Sequence, residues 1–167
     1  MKRISEAELD HAFAELIELD PVLQRFLLDG GRFGHVADTA RLLVDDQRSA
    51  RKAKHWWKHW WCKLPDGSAW ETDIFLVFET ETGRFAIHIE NKPSDGNLRF
   101  EQAAAYRRRA TFKANDPSWL NYWDFETILM APSSFLAENT SAAAQFDRSI
   151  SYEDIAAFIP LFSLALE

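Results

Sequence analysis

Asp73-Ile74-Phe75-Leu76-Val77-Phe78-Glu79-Thr80-Glu81-Thr82-Gly83-Arg84-Phe85-Ala86-Ile87-His88-Ile89-Glu90-Asn91-Lys92 reads as two β-strands joined by a short polar turn. β-Branched and aromatic residues fill both runs, and the segment between them ends in glycine, which is the pattern of a hairpin. Folding the runs symmetrically about Glu81 and Thr82 sets Glu79 against Arg84, an opposite-charge pair that favours this register. Phe78 then faces Phe85, Leu76 faces Ile87 and Ile74 faces Ile89, giving one apolar face. On the other face Val77 meets Ala86, Phe75 meets His88 and Asp73 meets Glu90. Side chains alternate along a strand, so Lys92 shares the face of Glu90. Two carboxylates and an ammonium thus converge at the open end of the hairpin. Like charges placed opposite each other cost stability. A bound hard cation such as Mg²⁺, held by one or two carboxylates with waters and substrate phosphates, gives the arrangement a reason.

The segments around the hairpin supply the rest of the fold. Ser5 and Glu8 have the form of a capping box ahead of an apolar stripe at Leu9, Ala12, Phe13, Leu16 and Ile17. Asp20 and Pro21 restart a second short helix, which ends at Gly30 and Gly31. Residues 33–47 carry a further helical pattern. Residues 60–64 end in a Pro65-Asp66-Gly67-Ser68 turn, and residues 69–72 lead into the Asp73 strand, so a three-stranded antiparallel meander with the second hairpin strand is expected. After Lys92, residues 98–113 read as a helix, 125–132 as a buried strand, 133–146 as a helix, 149–152 as a short strand and 153–166 as a helical region. The expected class is α+β (α/β in the broad sense), a central mixed sheet flanked by helices, with residues 1–167 as one domain.

The pattern Asp73 … Glu90-Asn91-Lys92 resembles the PD-(D/E)xK nuclease superfamily, also called restriction-endonuclease-like, with Thr72 where the motif name has Pro. The order helix, three strands, helix, strand is similar to the αβββαβ core of that superfamily. Gln102 and Tyr106, four apart on the helix that follows Lys92, resemble the Q-x-x-x-Y motif of its RecB-like and Cas4-like branches. The resemblance implies a DNA nuclease that hydrolyses phosphodiester bonds with Mg²⁺ or Mn²⁺ and leaves 5′-phosphate and 3′-hydroxyl ends. Asp73, Glu90 and the backbone carbonyl of Asn91 would hold the metal, and Lys92 would assist the attacking water. Gln102 and Tyr106 would support the site or contact DNA. A first-helix Glu often joins such sites, and Glu6 flanks the apolar stripe more closely than Glu8. Solvated or capping roles remain open for both.

Net charge is −7 for 167 residues, which excludes binding of nucleic acid by bulk charge. The bases are concentrated, however. Arg48, Arg51, Lys52, Lys54, Lys58 and Lys63 occur in a stretch without acids that also holds Trp56, Trp57, Trp60 and Trp61. Trp57, Lys54 and Lys58 are therefore candidates for base stacking and phosphate contact, the competing reading being that half or more of the tryptophans are core. Arg99 and Arg107, with Arg108 and Arg109, are further phosphate-contact candidates. Glu71, His35 and Asp38 are lesser site candidates. The one cysteine, Cys62, excludes an internal disulfide framework, and with no signal peptide or membrane span in the pattern the expected location is cytoplasmic. No Gly-rich cofactor loop or nucleophile elbow is present. A non-catalytic nucleic-acid-binding module on the same scaffold and an RNA nuclease are the alternatives. Sequence-specific cutting by so small a domain would call for a homodimer or a partner protein.

Overall fold

In a computed structural model, which describes residues 3–166, the chain is an α+β fold built on a five-stranded mixed sheet flanked by helices. The elements before the hairpin are α1 (Glu6–Leu19), α2 (Pro21–Asp29), β1 (Arg41–Leu42), α3 (Val44–Arg51), β2 (Trp60–Lys63) and β3 (Ala69–Thr72). The hairpin is β4 (Ile74–Thr80) and β5 (Gly83–Asn91). After it come α4 (Phe100–Lys113), β6 (Asp124–Ala131), α5 (Ser133–Glu138), α6 (Thr140–Ala143), β7 (Arg148–Ser151), α7 (Tyr152–Ile155) and α8 (Leu161–Leu164). The sheet order is β1-β4-β5-β6-β7, with β2 and β3 forming a separate two-stranded sheet.

The hairpin has the register read from the sequence, Glu79 opposite Arg84 through Ile74 opposite Ile89. Gly83 sits at φ +130, which a side chain rarely adopts, and a Cβ there would press on the Trp123 ring. β6 adds parallel to β5, and β7 parallel to β6, so the helical crossovers between them cover the sheet. Ile74, Leu76, Phe78, Ile87 and Ile89 pack against Leu9, Phe13 and Ile17 of α1 and against Leu23 and Leu27 of α2. On the opposite face Phe75, Val77 and Ala86 meet Trp60, Trp119 and Tyr122, and Leu129 and Ala131 meet Ala103 and Tyr106 of α4. α1 begins where expected. Ser5 Oγ accepts from Glu8 N at 3.3 Å, and Ser5 N donates to Glu8 Oε2 at 2.9 Å.

Several segments depart from the expectation. The helix over 33–47 is replaced by a 3₁₀ turn (Gly34–Val36), β1 and the start of α3. The open edge of β4 recruits this segment instead, pairing Arg41 with Glu79 and Leu42 with Phe78. The three-stranded meander does not form, because the chain changes sheets at Asp73: Thr72 pairs with Trp60 and Ile74 with Ile89. The 133–146 helix is broken at Asn139, and the 153–166 region is two one-turn helices about Pro160. Trp56, Trp57 and Trp60 are core residues, and of the four only Trp61 is open to solvent, at 55%.

Candidate active site

α1, the end of β5 and α4 bring four carboxylates and one ammonium together. Lys92 Nζ lies 2.7 Å from Glu90 Oε1 and 3.7 Å from Glu6 Oε2. Gln102 Nε2, one turn into α4, donates to the same Glu90 oxygen at 2.7 Å. Asp73 stands at the break between β3 and β4, where its backbone is free of the ladder. Its Oδ2 accepts the Asn91 N–H at 3.0 Å, and its own N–H donates to the Tyr106 hydroxyl at 3.3 Å. Tyr106 in turn reaches the Ile89 carbonyl at 3.4 Å. Gln102 and Tyr106, one turn apart, thus brace Glu90 and the backbone at Asp73 from one helix face.

Asp10 was not among the residues expected here. It lies four residues after Glu6, on the same side of α1, and is buried. Its Oδ1 accepts from Asn91 Nδ2 at 2.6 Å, while Asn91 Oδ1 accepts from the Tyr152 hydroxyl at 2.6 Å. The Asn91 side chain therefore ties α1 to the start of α7 beneath the site. The i, i+4 spacing of Glu6 and Asp10 was the available signal for Asp10. Nothing local marks Tyr152, which is 61 residues from Asn91.

Negative charge exceeds positive in this cluster. Burial pushes the Asp73 carboxyl well above the usual carboxylate range, and Glu90, Asp10 and Glu6 add to the rise. Burial likewise raises Asp10 to about 7, with the Glu6 charge adding to it and the Asn91 hydrogen bond opposing it. Burial raises Glu6, against the pull of Lys92. Burial works against the Lys92 ammonium too, but Glu90, Asp73 and Glu6 outweigh it and hold the group above the ordinary lysine value. Oxygen donors with too little cationic compensation are the chemistry a hard divalent cation answers. The Asn91 N–H and the Gln102 amide donate to Asp73 Oδ2 and Glu90 Oε1 respectively. Among the described residues no three His, Cys, Asp or Glu side chains form a ready-made cation cage. Mg²⁺ seldom requires one, because it keeps waters and takes substrate phosphate oxygens. A cavity of about 330 Å³, lined by Glu6, Pro93 and Gly96 among others, opens beside the cluster. Gly96 leaves space for the lysine stem, since a Cβ there would come within 3.2 Å of Lys92 Cδ.

The remaining candidates divide. Arg99 is exposed at the N-cap of α4. Arg107 is engaged with Asp147, and Arg108 bonds Asp66 at 2.6 Å, so neither is a free phosphate contact as expected. Arg109 is fully buried, its guanidinium 4.0 Å from the Tyr106 ring and 3.1 Å from the Glu71 carbonyl. Trp57 is only 4% exposed and is no open stacking platform, because its ring belongs to the core beneath α1. Lys54 and Lys58 remain at the surface beside it. Glu71 points away from the cluster and receives both the backbone N–H and Nδ1 of His59 at 3.0 Å. Asp38 pairs with Arg25 at 2.8 Å, in the turn that also carries His35. Glu8 is used in the N-terminal cap of α1.

No family model, no curated protein and no solved structure matches the chain. Among the described residues no helix is long and apolar enough to cross a membrane.

Proposed function

We propose that this chain is a divalent-metal-dependent phosphodiesterase acting on DNA, built on a restriction-endonuclease-like core. The observation that carries the reading is the placement of Asp73 and Glu90 at the open end of one hairpin, with Lys92 Nζ 2.7 Å from Glu90 Oε1. The succession α1, three strands of the main sheet (β1, β4, β5), α4 and β6 supports the same core.

Asp73 and Glu90, with the Asn91 backbone carbonyl, would hold Mg²⁺ or Mn²⁺, and Glu6 is a further ligand candidate. When bound, the ion polarises the scissile phosphate and lowers the pKa of a bound water. Lys92, held by Glu90, orients the attacking water by hydrogen bonding and offsets negative charge in the transition state. Lysine suits that role as a compact charge with three rotatable donors. Gln102 fixes Glu90, Tyr106 fixes the backbone at Asp73, and Asn91 fixes Asp10. The residues that meet metal and water are thus held by others that do not.

The test is cleavage of labelled single- and double-stranded DNA, linear and circular, with Mn²⁺, Mg²⁺ or EDTA. A Lys92→Ala variant with a wild-type circular dichroism spectrum is run alongside. Metal-dependent cutting that falls at least about 100-fold in the variant is expected, in line with the loss of one charge-stabilising donor. Equal cutting by both proteins, or none by either together with no Mn²⁺ binding in calorimetry, sinks the proposal. The second of those outcomes leaves a non-catalytic binding module.

A further inference from the structure

Most of the arginines in this acidic chain meet a carboxylate, as Arg107 meets Asp147 and Arg148 meets Glu126. Lys52, Lys54 and Lys58 differ, for among the described residues none of the three has an ion-pair partner. They lie on one segment, residues 52–59, which leaves α3 at Lys52 with φ 50 and reaches β2 through His59 with φ 63. Between this segment and α1 lies a groove of about 630 Å³. It is lined by His11, His55, Trp57 and Leu161, by Lys54 and Lys58 on the 52–59 side, and by Glu8 and Glu15 on the α1 side. The His11 and His55 rings stand edge to face at 5.4 Å, and lie 6.5 Å and 5.6 Å from the Trp57 ring. Glu15 Oε1 holds His11 Nε2 at 3.0 Å. Lys58 Nζ is 5.9 Å from the Trp57 ring centre, and Ala7 and His11, the chain neighbours of Glu6 and Asp10, line the groove, so it opens beside the carboxylate cluster.

We propose that this groove receives one unpaired nucleotide of a single-stranded segment adjoining the scissile phosphate, its base against the His11 and His55 rings and its phosphate between Lys54 and Lys58. The lysines line one side of the hollow and the glutamates the other, so a base against the rings sets its phosphate on the lysine side, away from α1. Aromatic surfaces beside cationic contacts bind single strands with little sequence preference. A duplex keeps its bases stacked inside and offers the same surface only its backbone. His55 is held below the ordinary histidine value, first by burial and then by His11, Lys54, Lys58 and His59, so at neutral pH it presents an uncharged ring. The identity of the polymer rests on the nuclease reading. The strand type and the residues that hold it go beyond that reading.

The test is binding rather than cleavage. Fluorescence anisotropy in EDTA follows labelled (dT)15, (rU)15 and a 15-base-pair duplex against the wild type, Lys54→Gln/Lys58→Gln and His11→Ala/His55→Ala. Each variant is first shown to melt cooperatively. The wild type is expected to bind one or both single strands more tightly than the duplex. The lysine variant loses about 0.7 in the slope of log affinity against log salt, from the one phosphate held between the two lysines. The histidine variant loses at least about fivefold in single-strand affinity with its salt slope unchanged. No binding by the wild type, or wild-type affinity and slope in both variants, overturns the inference. The two proposals separate cleanly. Groove-dependent binding without Lys92-dependent cutting removes the nuclease and keeps the groove. Cutting that ignores all four groove substitutions does the reverse.

Discussion

At the scale of single residues the carboxylates of α1 carry the most consequence. Asp10, at 4% exposure, titrates at about 7 in the folded chain, against about 3.9 for an unfolded aspartate. A raised folded value means that stability is fully present below the unfolded pKa and is lost as pH rises through the folded one. Metal-free protein is therefore expected to lose stability from pH 5 up to about 7, with little further loss by pH 8. Asp10→Asn, which keeps an oxygen for Asn91, should remove about 2 kcal/mol of that loss. Urea unfolding in EDTA at pH 5, 6.5 and 8 measures it, and parallel curves for variant and wild type would count against the assignment. His88, fully buried among aromatic rings and held well below its usual value by burial and the Arg109 charge, acts in the opposite direction. It removes stability as pH falls below about 6.5, where an unfolded histidine protonates. Subtracting variant from wild type cancels that contribution.

Among elements, α4 and the edge of β4 do unequal jobs. α4 serves the site. Gln102→Ala removes the donor at 2.7 Å from Glu90 Oε1, on a partly exposed turn, so activity should fall about 10- to 100-fold with little change in melting temperature. Kinetics and a thermal melt on the same preparation check both halves of that statement. β4 is closed by something other than a strand. β1 is two residues long, and beyond it the buried Gln47 side chain takes over the pairing. Its Nε2 donates to the Phe75 carbonyl at 2.8 Å, and its Oε1 accepts the Val77 N–H at 2.7 Å. Gln47→Ala leaves both backbone groups buried and unpaired, at about 3 kcal/mol. That corresponds to a fall of about 6–12 °C in melting temperature for a chain of this size. A change under about 2 °C would mean the edge finds other partners. The helical pattern over 33–47 misled for the same reason. Val36, Ala40, Leu43 and Val44 fit a helix face, and they equally fit a segment drawn out to cover β4 and then wound into α3.

For the whole molecule, a divalent ion held as proposed by the carboxylates around Lys92 would make stability depend on that ion. A cation that binds only the folded site stabilises it by about 1.4 kcal/mol at ten times its dissociation constant. Mn²⁺ at that concentration is expected to raise the melting temperature by about 3–6 °C, with EDTA reversing the rise. The shift should be larger at pH 8 than at pH 5.5, where protons compete for the same carboxylates. Asp73→Asn should abolish it. A shift of equal size in that variant would place the ion elsewhere.

Much of this was legible along the chain because it is local. Alternation and the Glu79–Arg84 pair specify the hairpin register, and the register alone sets Asp73, Glu90 and Lys92 at one end of it. Helical spacing puts Gln102 and Tyr106 on one face, and the Ser5 capping box starts α1. The parts that were not legible are set by contacts between distant segments. The use of Asp10 and Tyr152 depends on the Asn91 side chain, which reaches residues 81 and 61 positions away. At the change of sheet the Asp73 N–H finds its partner in the Tyr106 hydroxyl, 33 residues on. The tryptophan-rich segment carries the same ring and charge pattern whether it faces solvent or core. Only the packing of α1 over the sheet turned Trp56 and Trp57 inward and left the lysines outside, because burying apolar surface is favourable and burying an unpaired ammonium is not.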